Sequence, residues 1–318
     1  MRSDRNVEAA DAAGSKPGAS DAAAAAPKFI AEVSSNHQCD LERALRFVDR
    51  AAEIGCDGVK FQLFRIDELF APEILRQSAT HRARKRWELP ERFLAPIARR
   101  CHERGVAFGC TPFYLDAVGA LSPFVDFLKI ASYELLWDDL LAACARTGLP
   151  LVLSTGMATL DEVAHAAAVI ERAGGRDLTL LHCISGYPAP AAEANLAAID
   201  RLAALDAGFD GLSIRGGWSD HTVDPGVILR AAHAHPTAMV EFHLDLEGEG
   251  DEFESGHCWL PYDIQETIAQ VQTGFRAEGH GRKAPSHIES EERSWRADPS
   301  DGLRPLRPLR REWSPLAR

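Results

Sequence analysis

From Lys28 onward the chain alternates short apolar runs with amphipathic stretches. The run KFIAEV is followed by DLERALRFVDRAAEIG, whose apolar positions recur at helical spacing and which stops at Gly55. GVKFQLF is again strand-like, and a polar stretch containing RARKRWELP leads into the helical ERFLAPIARRCHERG. The same alternation continues through VAFGCTPF and a short helix near Asp116, VDFLKIAS and LWDDLLAACARTG, and PLVLSTGM and LDEVAHAAAVIERAGG. It ends with LTLLHCISGYP and ANLAAIDRLAAL, GLSIRGGWSDHT and GVILRAAHAH, then AMVEFHLDL and LPYDIQETIAQVQTGF.

Each of these eight apolar runs is followed by a helical segment, a pattern that predicts parallel pairing through right-handed crossovers. Eight such units over about 250 residues predict an α/β fold of the (β/α)8 TIM-barrel type. A doubly wound open sheet is the alternative, but no glycine-rich dinucleotide fingerprint follows the first strand. The barrel is expected over residues 28–275. Residues 1–27, rich in Ala, Gly, Ser and Asp, read as a disordered leader without the apolar core of a secretory signal. Residues 276–318 carry five prolines and many charges, and read as an extended polar tail unable to build a core.

A barrel carries its chemistry at the C-terminal ends of its strands, and the polar residues collect at those ends. Glu32 closes the first strand, and Lys60 and Gln62 lie in the second. Thr111 follows the third, and Lys129, Ser132 and Glu134 follow the fourth. Ser154 and Thr155 end the fifth, and His182, Ser185 and Tyr187 the sixth. Ser219, Asp220 and His221 follow the seventh, and Glu241 and His243 end the eighth.

Lysine is almost never buried without a partner, yet Lys60 and Lys129 interrupt otherwise apolar strands. Three readings stand: lysines reaching to the rim, one Schiff-base nucleophile, or a clamp for phosphate or carboxylate with neighbouring hydroxyls as oriented donors. The nucleophile reading leaves the second lysine unexplained. His221 and His243 fall on adjacent strands at the same end. Neutral imidazole is the commonest metal ligand, and a pair with oxygen donors suits Mn²⁺, Fe²⁺, Co²⁺ or Zn²⁺. Asp220 reads as an orienter of His221. His182 follows apolar strand residues and is read equally as a hydrogen-bonded structural histidine. His257 beside Cys258 is a weak second metal candidate.

A formal charge of −12 argues against nucleic-acid binding, while leaving room for anionic substrates inside a cleft of local lysines. The seven cysteines are odd in number and form no Cys-x-x-Cys pair, as expected of reduced thiols in a cytoplasmic protein. No apolar run reaches the roughly 20 residues of a membrane helix.

The motifs IAEVSSNH, GVKFQ, CTPF, LKIAS, LSTGMATLDEV, LHCISGYPAP, WSDHT and VEFHL resemble, in order and spacing, those of the sialic acid synthase family, over Phe29 to Phe275. The resemblance implies condensation of phosphoenolpyruvate with an N-acyl hexosamine-type aldose, giving a nonulosonic 2-keto-3-deoxy acid. It implies a divalent metal on His221 and His243, Mn²⁺ first, with Mg²⁺, Co²⁺ or Zn²⁺ as alternatives. The phosphoenolpyruvate site it implies comprises Lys60, Thr111, Lys129, Ser132, Ser154, Ser185, Tyr187 and Ser219. Glu134, Glu32 and Lys60 form the implied catalytic set, with Glu134 positioning the attacking water. Glu32, Gln62, Glu134 and Glu254 form the implied acceptor side. Small-molecule substrates and a possible homodimer are the partners expected, with no nucleic acid and no membrane.

The chain also departs from the family pattern. Members end in a small antifreeze-like domain, for which the 43 residues after Phe275 are too few and too polar. Their Pro-Gly-Pro-Asp element is replaced by EGEGDEFESGHCWLP, which puts Glu254 near the aspartate position and adds His257. Ser185 stands where the family has Asn, and Trp218 where it has Tyr. An aldolase or lyase acting on a 2-keto sugar acid, or a barrel that binds a sugar or protein without turnover, are the competing functions.

Overall fold

A computed structural model describes residues 25–313 of the chain. Eight parallel strands close on themselves. They are β1 (Lys28–Glu32), β2 (Gly58–Leu63), β3 (Ala107–Pro112), β4 (Phe127–Ile130), β5 (Leu151–Ser154), β6 (Asp177–Cys183), β7 (Ser213–Asp220) and β8 (Thr237–Leu244). Each pairs with its neighbour in sequence, and β8 closes the ring on β1, with Glu32 opposite His243. The (β/α)8 barrel read from the alternation is the fold. A ninth strand, β9 (Cys258–Trp259), was not anticipated; it adds to β8 with His243 opposite Cys258. Two residues give too short a periodic signal to be read from sequence.

The barrel is filled by alternate residues. Ile30, Phe127, Val152 and Leu181 form an apolar plug of their own, with Ala107 and Met239 packed against it. One step of two residues further along the same strands come Glu32, Thr111 beyond Gly109, Lys129, Ser154, Cys183 and Glu241. The polar mouth therefore rests on an apolar floor, and the strand period of two sets the change. Two glycines make the floor possible. A Cβ on Gly109 would lie 2.1 Å from the Phe127 ring, and one on Gly217 would lie 2.5 Å from Leu181 Cδ2 and 2.6 Å from the Met239 carbonyl oxygen.

Outside, helices cover the strands with their apolar stripes. In Leu41–Glu53, Ala44, Phe47, Val48 and Ala51 face the barrel, and Asp40 caps the helix by accepting from the Arg43 amide. In Leu160–Arg172, a capping box of Thr159 and Glu162 fixes the start. The last helix, Pro261–Glu278, runs three residues beyond the expected boundary at Phe275. The long polar stretch between β2 and the helix Leu94–Arg104 breaks into short helical pieces, among them Ile66–Leu69, Pro72–Gln77 and Ala79–Ala83.

Glu278–Arg318 is a separate compact unit. The extended tail expected there instead contains the helices Ser290–Ser294 and Arg307–Glu312 among its described residues. Polar bonds hold it where apolar burial is lacking. Asp301 accepts two bonds from Arg310 at 2.7 and 2.8 Å, and Asp298 accepts from the amides of Ser300 and Arg307. The leader expected at 1–27 lies outside the described residues up to position 24. No helix among the described residues is long and apolar enough to cross a membrane.

Candidate active site

A cavity of about 720 Å³ opens at the C-terminal mouth of the barrel. That is room for two small polar molecules side by side. Glu32, Lys60, Gln62, Thr111, Lys129, Ser132, Glu134, Ser154, Tyr187, Ser219, His221 and His243 all line it. Residues from all eight strands and their loops thus meet in one space, as the ring of strand ends required.

Its floor is a buried charge cluster. Lys60 and Lys129 are only 2% and 3% exposed. Lys60 is ion-paired with Glu32 and donates to Thr111 Oγ1 at 3.1 Å. Lys129 meets Glu241 at 3.2 Å, and Ser219 donates to the same carboxylate at 3.2 Å. Burial pulls the Lys60 ammonium down to about 8, against the nearby Glu241. For Glu241 burial works against ionisation, but Lys129 and Lys60 outweigh it and hold the carboxyl near 2. Two cations thus face two anions, a neutral arrangement that a buried group of this size requires. Glu241, at its strand end, lies between the two lysines, at 3.2 Å from Lys129 and 4.0 Å from Lys60.

Above the cluster lies a cradle of hydroxyls. Ser132 Oγ accepts from the Gly156 amide at 3.0 Å, and Gly156 has no room for a side chain, since a Cβ would lie 2.4 Å from Ser185 Oγ. Ser154 Oγ and Ser185 Oγ are buried without a hydrogen-bond partner. Buried donors are rarely left unpaired, so these two stand ready for an acceptor. Ser185 does not itself line the cavity, but it packs behind Gly156 at the edge of this cradle. Glu134, on the turn after β4, has a buried Oε2 without a partner, and burial raises its carboxyl to about 7 although Lys129 pulls the other way.

The histidines form the opposite wall. The His221 and His243 ring centres are 5.4 Å apart. His221 Nδ1 bonds the Ile184 carbonyl at 2.7 Å, and His243 Nδ1 meets Glu252 at 3.0 Å, so Nε2 of each ring remains free. A backbone carbonyl or carboxylate behind each imidazole is the arrangement that orients metal ligands. Burial, reinforced by His243, lowers His221 to about 3, and burial also lowers His243 against the pull of Glu252. Both rings are therefore neutral at ordinary pH, the form that binds a metal. The donor set fits a divalent ion.

Two sequence assignments need correction. Glu254 is exposed and off the cavity; Glu252 lines it instead. On the helix Asp251–Glu254, positions two apart point to different sides, so a register of two residues decided the matter. Glu252 also accepts from Ser34 and Ser35 Oγ; burial opposes its ionisation, but His243 and His257 hold it well below the usual carboxylate range. Asp220 does not orient His221. It accepts from the indoles of Trp218 at 3.1 Å and Trp259 at 2.9 Å and from Thr222 Oγ1 at 2.7 Å, on the outward side of β7. Trp218 is fully buried there and is a packing residue. His182 is structural, bonding the Ala194 carbonyl at 3.0 Å.

His257 was set aside with Cys258 as a weak separate site. In the fold it lines the same cavity, and His243, Glu252, His257 and Cys258 lie within 4.8 Å of one another. Because β9 pairs with β8, His257, the residue just before β9, is brought to the mouth, a contact that only the unforeseen strand could reveal.

Fold and site together define a (β/α)8-barrel enzyme with its working groups at the C-terminal mouth. Residues 47–283 match the NeuB family, and the chain belongs to that family. It is similar to the spore coat polysaccharide biosynthesis protein SpsE of Bacillus subtilis, at 33% identity over 78% of this chain and 67% of that protein. It is also similar to the N,N'-diacetyllegionaminic acid synthase of Campylobacter jejuni, at 30% identity over 83% of this chain and 80% of that one. Among solved structures, the N-acetylneuraminic acid synthetase of Leptospira borgpetersenii in complex with citrate superposes with a TM-score of 0.69 at 28% identity, covering 84% of this chain and 90% of that one.

Proposed function

We propose that the enzyme condenses phosphoenolpyruvate with the open-chain aldehyde of an N-acyl hexosamine-type sugar, releasing phosphate and a nonulosonic 2-keto-3-deoxy acid. The observation that carries this reading is one cavity in which two buried lysines and the unpartnered Ser154 hydroxyl stand beside a pair of neutral imidazoles. The first half suits a small phosphorylated carboxylate and the second a divalent ion.

Lys60 and Lys129, with Thr111, Ser132, Ser154, Ser185 and Ser219, would hold the carboxylate and phosphate so that C3 of phosphoenolpyruvate faces the acceptor carbonyl. Fixing two reactants in this way is worth several kcal/mol, of order 7–11 in the best cases. His221 and His243 would hold a divalent metal, and such an ion would supply Lewis-acid polarisation at the carbonyl. The new bond joins C3 to the aldehyde carbon, and the aldehyde oxygen takes up a proton. Water then adds at C2, its proton going to Glu134, whose carboxyl is poised near 7 for this transfer. Collapse of the resulting centre breaks the bond between C2 and the bridging oxygen, and phosphate leaves with that oxygen. Glu32 and Gln62, themselves bonded at 3.3 Å, face the cavity and orient acceptor hydroxyls, with Tyr187 covering the histidines.

Phosphate release from phosphoenolpyruvate, measured across a panel of N-acyl hexosamines with added Mn²⁺ or Co²⁺, tests the reading. Release should require both acceptor and metal, and His221→Ala should abolish it while leaving the circular dichroism spectrum unchanged. Silence with every acceptor, or equal turnover in His221→Ala, would overturn the reading.

A further inference from the structure

We infer that His257 is a third imidazole ligand of the metal, and that the site therefore favours nitrogen-loving ions such as Zn²⁺, Fe²⁺ or Co²⁺ over Mn²⁺. The inference rests on His221 and His243 being the metal pair, and goes beyond it. His257 is 6% exposed, lines the cavity, and has a buried Nδ1 without any hydrogen-bond partner. Leaving such an atom unpaired is costly, a cost that a ligand at that position removes.

The three rings are spaced for one ion. His221 and His243 are 5.4 Å apart between ring centres, His243 and His257 4.7 Å, and His221 and His257 6.4 Å. A point equidistant from the three centres lies about 3.3 Å from each, close to the ~1.1 Å from ring centre to nitrogen plus a nitrogen–metal bond of ~2.1 Å. The rings meet at 61°, 70° and 89°, so none stacks on another and their edges remain available. Glu252 supports the group from behind, at 3.0 Å from His243 Nδ1 and 3.8 Å from His257 Nε2. It is therefore a positioning residue for both rings. Cys258, the other soft donor nearby, accepts from Asn36 Nδ2.

Imidazoles select borderline ions, whereas carboxylate and water donors suit Mn²⁺ and Mg²⁺. Adding a third nitrogen to two moves the preference accordingly. The full chain, stripped with chelator, should be titrated with Co²⁺, Zn²⁺ and Mn²⁺, following the cobalt visible bands and the affinity of each ion calorimetrically. The wild type is expected to bind one Co²⁺ or Zn²⁺ more tightly than Mn²⁺. His257→Phe, which keeps the ring volume, and His257→Ala should both weaken Co²⁺ and Zn²⁺ binding by about tenfold or more, change the cobalt bands, and leave Mn²⁺ affinity within a few-fold of wild type. Cobalt bands and affinity unchanged in whichever variant folds, or a wild type preferring Mn²⁺, would overturn the inference. Neither readout depends on turnover, so a failed condensation assay leaves this result standing on its own.

Discussion

Glu134 is the residue at which burial is converted most directly into chemistry. Its carboxyl sits near 7 because the fold removes water from it, and Lys129 only partly offsets that effect. A base must be deprotonated to act, so kcat/KM should rise with pH through a limb near 7, and Glu134→Gln should lower turnover by about 100-fold or more and erase that limb. Stability should run the other way. The folded carboxyl binds its proton more tightly than the unfolded one, whose value is 4.5. Its stabilising contribution is therefore full below about 4.5 and is lost as pH rises toward 7. At pH 8 Glu134→Gln should accordingly be more stable than wild type, by about 1–3 kcal/mol in denaturant titration. Equal stability of the two proteins at pH 8 would show that the carboxyl is not poised in this way. Lysines in apolar strands and paired histidines could be read from the chain alone, because residue type and strand position suffice. The neutralising role of Glu241 could not, since it depends on which side chains face inward across β2, β4 and β8.

At the scale of elements, the seventh strand and the segment after the eighth carry most of the local specificity. GGWSDHT alternates: Gly217 and Ser219 face the interior, while Trp218 and Asp220 pack outward. A side chain at 217 would meet both Leu181 and the Met239 carbonyl at under 3 Å, and the latter is backbone that cannot rotate away. Gly217→Ala should therefore lower stability by about 1–3 kcal/mol, measured as a shift in denaturation midpoint, and should displace His221 along with the strand. A midpoint equal to wild type would mean the β7–β8 contact is looser than described. The elements themselves were legible because each apolar run and amphipathic helix repeats with its own period. The short helix Asp251–Glu254 and β9 were not, being too brief to show a period. For that reason the sequence pointed to Glu254 and not to Glu252 or His257, the two residues of this segment that line the cavity with Ser255.

For the whole molecule, the closed barrel explains why residues scattered from position 32 to position 257 share one cavity, and why a strongly acidic chain can present an anion cradle. The net charge of −12 is summed over the whole chain. Inside the mouth, Lys60 and Lys129, the carboxylates of Glu32, Glu134, Glu241 and Glu252 and a row of hydroxyls set the local field. The alternation of strand and helix was enough to recover this architecture. The C-terminal unit was misread as extended because its order comes from Asp–Arg and Asp–amide bonds, which leave no periodic apolar trace.

The central claim is that this cavity joins phosphoenolpyruvate to an aldose with water adding at C2. It is tested most directly with phosphoenolpyruvate labelled with ¹⁸O in the bridging oxygen, incubated with the enzyme, a divalent metal and an N-acyl hexosamine. The account predicts that the released phosphate carries the label, in step with a nine-carbon 2-keto acid when the acceptor has six sugar carbons. Unlabelled phosphate, or phosphate released at the same rate without acceptor, would contradict it.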